Sequence, residues 1–321
     1  SEGNALPFGE QYVRRILINN SQNSNPLNDY QINFTIDTQS LISAGKMRPD
    51  CGDIRFIDPT TEQELSYYIM NNSANACNTP NTVIWVKIPQ IPSYGIKIIY
   101  MYYGNLSLTP KSSGDETFDF FEDWENGINA TKWTREGSSA ALSPYWDAYT
   151  QVGTVNPYEG SYFAGTVNLG TLDWVFINST LSPETRSILT FYWRVRGASS
   201  NRAKLEFIYG SDTVTSITGV TGWLNYNYEI TNTESNIIKW KYSTNWNAGG
   251  SNRGFLDLIF LRKYIPPEPI VTVSNEISSP ERPENLLIKD VKINVNDTAI
   301  VVDDMDKVNI ENVSIDGNNA I

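Results

Sequence analysis

Histidine is absent from all 321 residues. That excludes Ser-His-Asp and Cys-His catalysis, His-ligated zinc, and the side chain that most often titrates near neutral pH. Basic residues are scarce: Lys and Arg number 24 against 36 Asp and Glu, for a formal net charge of −12. Such a surface repels phosphates and anionic lipid, so nucleic acid and anionic membranes are not expected partners. No apolar run reaches the roughly 18 residues that make a spanning helix. The chain opens Ser1-Glu2-Gly3-Asn4, with neither an initiator Met nor a positively charged leader, as a mature end left by signal cleavage or a trimmed sequence would. Cysteine occurs only at Cys51 and Cys77, and regular helix is nearly missing, its one candidate being a short turn over residues 40–44.

What is present is material for packed β-structure: 40% hydrophobic residues, with 9 Trp, 18 Tyr and 12 Phe. At roughly 150 residues per domain the length suggests two domains. Segments 11–19, 30–37, 53–58, 65–70, 82–88 and 95–103 alternate with period two or are short apolar runs edged by Gly, Pro, Asn or Asp, and read as strands of a β-sandwich over residues 1–115. A second series over 116–264 (118–124, 161–167, 174–178, 187–195, 204–209, 225–230, 236–242 and 255–264) fits a jelly roll of two packed sheets. A Pro-rich linker is expected over 265–284, carrying one more strand at 270–274.

Residues 285–321 have another rhythm. Ile288, Val291 and Ile293 align with Ile310, Val313 and Ile315 at a shift of 22 residues, with Asn/Asp/Gly turns between, as coils of a parallel β-helix would. Fewer than two coils fit before Ile321, and such an edge leaves backbone groups unpaired. The expectation is a natural polypeptide that continues as a longer β-helix, or a second subunit covering this edge. The fold class expected for the whole is all-β: two β-sandwich or jelly-roll domains in series and the beginning of a parallel β-helix.

Four motifs carry a resemblance: Tyr30-Gln-Ile32 with Ile36-Asp37, Cys51-Gly-Asp-Ile-Arg-Phe-Ile-Asp58, Ile84-Trp-Val-Lys-Ile-Pro89 and Ile99-Tyr-Met-Tyr-Tyr-Gly-Asn105. Over Tyr12–Asn105 the chain resembles an uncharacterised β-domain family of secreted and surface proteins of archaea and bacteria, a domain of unknown function. Phe120-Phe-Glu-Asp-Trp-Glu-Asn-Gly127, Lys132-Trp133 and Phe255–Tyr264 resemble the first and last strands of a concanavalin-like or MAM-like jelly roll, which often follows that family. The resemblance implies an architecture and an extracellular setting, but no activity.

An even cysteine pair in a surface protein is expected to form one disulfide, Cys51–Cys77, closing a loop of 26 residues and stabilising by about 3 kcal/mol; two buried thiols are the alternative. N-glycosylation sequons begin at Asn19, Asn33, Asn71, Asn105, Asn129, Asn178, Asn296 and Asn312, a pattern that a chain rich in Asn, Ser and Thr also meets by chance. Glu122 and Asp123 at one strand end and Asp257 in the last strand are candidate ligands for Ca²⁺, a hard cation that takes about six to eight oxygens in loose geometry. A solvated acidic turn explains them equally, and nothing marks them as a glycosidase pair. Tyr145 and Trp146, and Trp246 and Asn247 in a Gly-rich loop, set ring faces beside amides, the combination that stacks on and hydrogen-bonds to sugars. Gly249-Gly250 lacks the Lys-Ser/Thr of a phosphate loop, and Asp303-Asp-Met-Asp306 lacks the Gly and Glu of an EF-hand.

These observations point to a secreted or cell-surface structural or adhesive protein, non-catalytic in this segment, whose jelly roll binds glycan. Its expected partners are glycans, other surface proteins or copies of itself. The alternatives are an accessory front end of a polysaccharide-acting β-helix enzyme, and a filament or surface-layer subunit assembled by strand complementation.

Overall fold

A computed structural model describes residues 9, 11–197, 202–245 and 252–277, together with the backbone of four short strands within 286–316. The period-two alternation seen in the sequence becomes two antiparallel sandwiches, because a strand with one apolar face must bury it against another sheet. The first contains β1 (Tyr12–Asn19), β2 (Leu27–Ile36), β3 (Arg55–Asp58), β4 (Gln63–Glu64), β5 (Tyr67–Ile69), β6 (Thr82–Ile91) and β7 (Ile96–Tyr103). The second contains β8 (Phe120–Glu122), β9 (Thr134–Gly137), β10 (Trp146–Tyr149), β11 (Phe163–Thr166), β12 (Trp174–Leu181), β13 (Ser187–Arg196), β14 (Ala203–Tyr209), β15 (Asp212–Thr218), β16 (Leu224–Ile230), β17 (Asn236–Thr244) and β18 (Arg253–Lys263). The predicted turn near residue 40 is a helix, α1 (Thr38–Ser43), whose first N–H groups are capped by the Asp37 carboxylate accepting from Ser40 N.

The chain then returns. After Pro266 and Pro267, β19 (Ile270–Ile277) pairs antiparallel with β1, from Val13 opposite Ile277 to Asn19 opposite Ile270. The segment expected as a linker therefore supplies an edge strand, and the first sheet runs β19-β1-β7-β3-β4 over a facing sheet β2-β6-β5. Its core gathers Ile16, Ile18, Phe34, Phe56, Tyr67, Ile84, Val86 and Met101. Cys51 and Cys77 are disulfide-bonded beside it, as expected.

In the second sandwich one sheet runs β10-β11-β18-β13-β16 with β8 added to β18, and the other β15-β14-β17-β12-β9. β15 is a Thr-rich edge strand with little apolar content, so no alternation announces it in the sequence. Between the sheets lies an aromatic core in which Phe191 meets Trp240 at 5.0 Å, Phe207 meets Trp240 at 5.4 Å and Trp124 meets Trp133 at 5.0 Å. Rings in these offset and edge-on arrangements stabilise beyond the area they bury.

Beyond β19, β20 (Leu286–Lys289) pairs parallel with β22 (Val308–Glu311), and β21 (Lys292–Asn294) with β23 (Ser314–Asp316). Ile288 stands opposite Ile310 and Ile293 opposite Ile315, the 22-residue offset of the sequence alignment. Among the described residues no helix is long and apolar enough to cross a membrane.

Candidate functional site

The motifs of the first sandwich resolve into scaffolding. The Asp53 carboxylate accepts from Arg48 N at 3.0 Å and from Gly104 N at 2.8 Å, tying the Cys-Gly-Asp segment to the Tyr-Tyr-Gly-Asn segment. Gly104 has φ +102°, and a Cβ there would stand 2.7 Å from the Tyr12 ring, so no other residue fits. Buried Arg55 donates to the carbonyls of Gly52, Ile54 and Thr109, which closes the same corner.

The candidate calcium ligands all carry hydrogen bonds within the protein. Glu122 accepts from Trp124 N at 3.1 Å and Trp133 Nε1 at 2.6 Å, and pairs with Lys132 at 3.2 Å. Asp257, fully buried, accepts from the N–H groups of Tyr158, Glu159 and Leu258. Asp123 accepts from Glu125 N. Among the described residues no group of three or more acidic or Cys side chains is placed to hold a metal ion. Trp146, expected at a sugar site, is instead fully buried in the core of the second sandwich and offers no face to a ligand. Tyr145 is half-buried and packs against that core. Trp246 and Asn247 lie outside the described residues, as do Asn296 and Asn312. Asn33, Asn71 and Asn129 are exposed, and Asn19, Asn105 and Asn178 half-buried.

A buried acidic cluster sits where the two sandwiches meet. Glu159 is only 3% exposed and accepts a hydrogen bond from the Tyr68 hydroxyl of the first sandwich. Burial pushes its carboxyl up to about 7, and burial likewise raises Asp257 and Asp123. A raised acid beside a second carboxylate also occurs in general acid–base chemistry, but here both Glu159 and Asp257 are buried. The cluster works as a structural clasp.

The outward face of the β18 sheet is covered. Leu258 and Phe260 pack against Tyr68, Met70 and Trp85 of the first sandwich. Loop 150–162 lies over the rest: Arg196 donates to Val152 O, Trp223 Nε1 to Asn156 O, and Val155 packs on Phe163 and Phe255. The outward face of the other sheet is different. Along β12, Val175, Ile177 and Leu181 enter the core, so alternation turns Trp174, Phe176 and Asn178 outward. Along β17, Ile238, Trp240 and Tyr242 enter, leaving Lys239, Lys241 and Ser243 outside. The register sets Glu136 opposite Phe176 on one side and Lys241 on the other, with Glu206 of β14 beyond. Trp174 and Phe176 are stacked, centroids 5.8 Å apart and planes 5° from parallel. Lys239 Nζ lies 4.5 Å from the Phe176 centroid and Lys241 Nζ 5.5 Å from that of Trp174. Two half-buried rings thus stand in a row of cations and amides on a sheet face that stays in contact with solvent. Sequence reasoning placed this strand and passed over its rings; the signal was the alternation itself, since two aromatics out of phase with Val175 and Ile177 cannot belong to the core.

Residues 50–136 match the domain of unknown function DUF2341. The DUF2341 match begins one residue before Cys51 and ends within β9, later at both ends than the Tyr12–Asn105 expected from the motifs. Among curated proteins none matches the chain in sequence. Solved structures similar in part include a carbohydrate-binding module in complex with β-1,4-galactotriose (17% identity, 44% of this chain and 94% of that one, TM-score 0.33). A cleaved adhesin domain of Lys-gingipain from Porphyromonas gingivalis is similar at 13% identity over 46% and 98% of the two chains, with a TM-score of 0.36. A xylan-binding domain from Paenibacillus barcinonensis is similar at 15% identity over 45% and 93%, with a TM-score of 0.31.

Proposed function

We propose that this chain is a non-catalytic, extracellular glycan-binding protein of adhesive character, and that the glycan lies across the outward face of the β15-β14-β17-β12-β9 sheet. The observation that carries the reading is the pair Trp174 and Phe176, large rings held out of a well-filled core on a face that also carries Lys239, Lys241 and Ser243. Rings left half-buried outside the core stabilise a complex when the C–H face of a sugar covers their remaining surface and neighbouring Lys, Asn and Ser donate to hydroxyls. The disulfide supports an oxidising, extracellular setting. Glycan-array and calorimetric binding to the intact chain tests this. Trp174→Ala and Phe176→Ala, with far-UV spectra and melting unchanged, are expected to weaken binding at least about tenfold each, on the scale of one lost ring contact. Undiminished binding by both variants would discard this face.

A second reading is favoured by one observation. The parallel ladders at a 22-residue offset support a chain that serves as the front end of a longer β-helix protein. In that case the natural polypeptide carries further segments of the same period after Ile321. A polypeptide without them, monomeric in solution, would remove the idea.

A further inference from the structure

Resting on the glycan reading of this face, we infer that the ligand is an acidic polysaccharide with a carboxylate on successive sugars, and that Lys239 and Lys241 are the residues that select it. The argument begins with the charge balance. With 36 acidic residues against 24 basic ones, a cation in this chain readily finds a carboxylate. Lys46, Lys97, Lys111, Lys132, Lys204 and Lys263 each form an ion pair. Lys87, Lys239 and Lys241 have no ion pair among the described residues, and of these Lys239 and Lys241 share one face, their charged ends resting on rings. The nearest acid across the ladder, Glu206, is taken by Lys204 at 2.7 Å, and Glu136 is separated from Lys241 by Phe176. Two cations are therefore left facing solvent side by side, in a molecule whose net charge is −12.

Geometry supplies the second half. Each lysine pairs with one ring, Lys239 with Phe176 and Lys241 with Trp174, and the two ring centroids lie 5.8 Å apart with their planes almost parallel. A hexuronate offers a C–H face to stack and a carboxylate on its rim, which is what one ring with an adjacent ammonium can accept. The same ring-and-ammonium unit occurs twice along β12, the two ring centroids 5.8 Å apart, so more than one carboxylate of a polyuronate can meet an ammonium on this face. The acidic remainder of the surface does not forbid this. At physiological ionic strength the Debye length is about 8 Å, so the charges that count are those on the face itself. A charge-assisted contact from an ammonium to a carboxylate is also worth roughly twice a neutral one.

The test compares polygalacturonate, its methyl ester and a neutral galactan by titration calorimetry on the intact chain, in about 0.15 M and about 1 M salt. Polygalacturonate is expected to bind best, to weaken in high salt, and to lose at least about tenfold in affinity with Lys239→Gln/Lys241→Gln, while the ester and galactan bind weakly and ignore that change. Equal binding of acid and ester, or indifference of polygalacturonate to the double variant, overturns the inference. If Trp174→Ala then still abolishes binding, the glycan reading survives. A sulfated glycan binding more tightly than polygalacturonate overturns the carboxylate assignment. Binding of no glycan, or binding that Trp174→Ala leaves intact, defeats the glycan reading itself.

Discussion

Glu159 shows how one side chain can set the pH response of the fold. Its carboxyl is buried against Tyr68, Asn71 and Asn72 of the first sandwich with the charge of Asp123 nearby, so its charged form is disfavoured and its pKa stands at about 7 against an ordinary 4.5. The native state then holds a proton that the unfolded chain has already released between these values. Stability from this group is complete below the ordinary value, declines as pH rises, and is lost once the folded pKa is passed. The shift corresponds to a contribution of the order of 3 kcal/mol at the acid end. Asp257, raised by burial, acts in the same sense, whereas Asp37 and Asp50, lowered first by hydrogen bonds from Ser40 and Arg48, act in the opposite one at lower pH. We expect the melting temperature of the wild type to fall between about pH 5 and about pH 8. Glu159→Gln, which cannot ionise, is expected to flatten that decline. Parallel pH profiles for the two proteins would show that Glu159 has no part in it.

Among the elements, the strands follow directly from side-chain order, and their partners do not. Period-two runs such as Thr82–Ile91 and Ser187–Arg196 are legible because alternate residues must enter a core. The pairing of β19 with β1 joins residues about 260 positions apart, and no local pattern encodes it. The same holds for the site. The sequence shows the charge of the acidic residues near 122 but not their donors: Trp133 Nε1 donates to Glu122, and Lys132 pairs with it. Trp146 was attractive beside Tyr145, yet only the fold reveals that it points inward. Trp174 and Phe176 were decipherable in principle, because their phase relative to Val175 and Ile177 is written in the chain. The disulfide is the case in which sequence and structure meet without loss. It ties the turn after α1 to the loop before β6 across 26 residues, and restricting that loop in the unfolded chain is worth about 3 kcal/mol. Cys51→Ser/Cys77→Ser, or reduction without substitution, is expected to lower unfolding free energy by about this amount in denaturant titrations. A midpoint that does not move would mean that the unfolded chain is already compact there.

At the scale of the molecule, the two sandwiches share a junction made of the same materials as their interiors. Phe260 of β18 lies 4.5 Å from Phe118 and 5.6 Å from Trp85 of β6, and Tyr68 meets Phe121 at 4.9 Å, centroid to centroid. Polar groups are fitted as closely. Buried Gln31 donates to Thr117 O and Asp119 and accepts from Lys263 N, while Asn23 donates to the carbonyls of Ile265 and Pro267. The backbone also crosses twice, once before β8 and once after β18, so that β19 completes the sheet in which β1 and β7 lie. Loss of either sandwich would thus expose apolar surface and unpaired donors of the other, and the cost of a junction ring removed to Ala is about 3–5 kcal/mol. The pair is expected to unfold in a single calorimetric transition, with van't Hoff and calorimetric enthalpies in agreement over residues of both sandwiches. Phe260→Ala should remove the keystone of that contact. The second sandwich keeps its own aromatic core, in which Phe260 has no place, so the expected result is a lower melting temperature and two resolved transitions rather than general collapse. Two transitions already in the wild type, or a Phe260→Ala protein that melts as the wild type does, would show that the sandwiches are joined by chain and strand pairing alone.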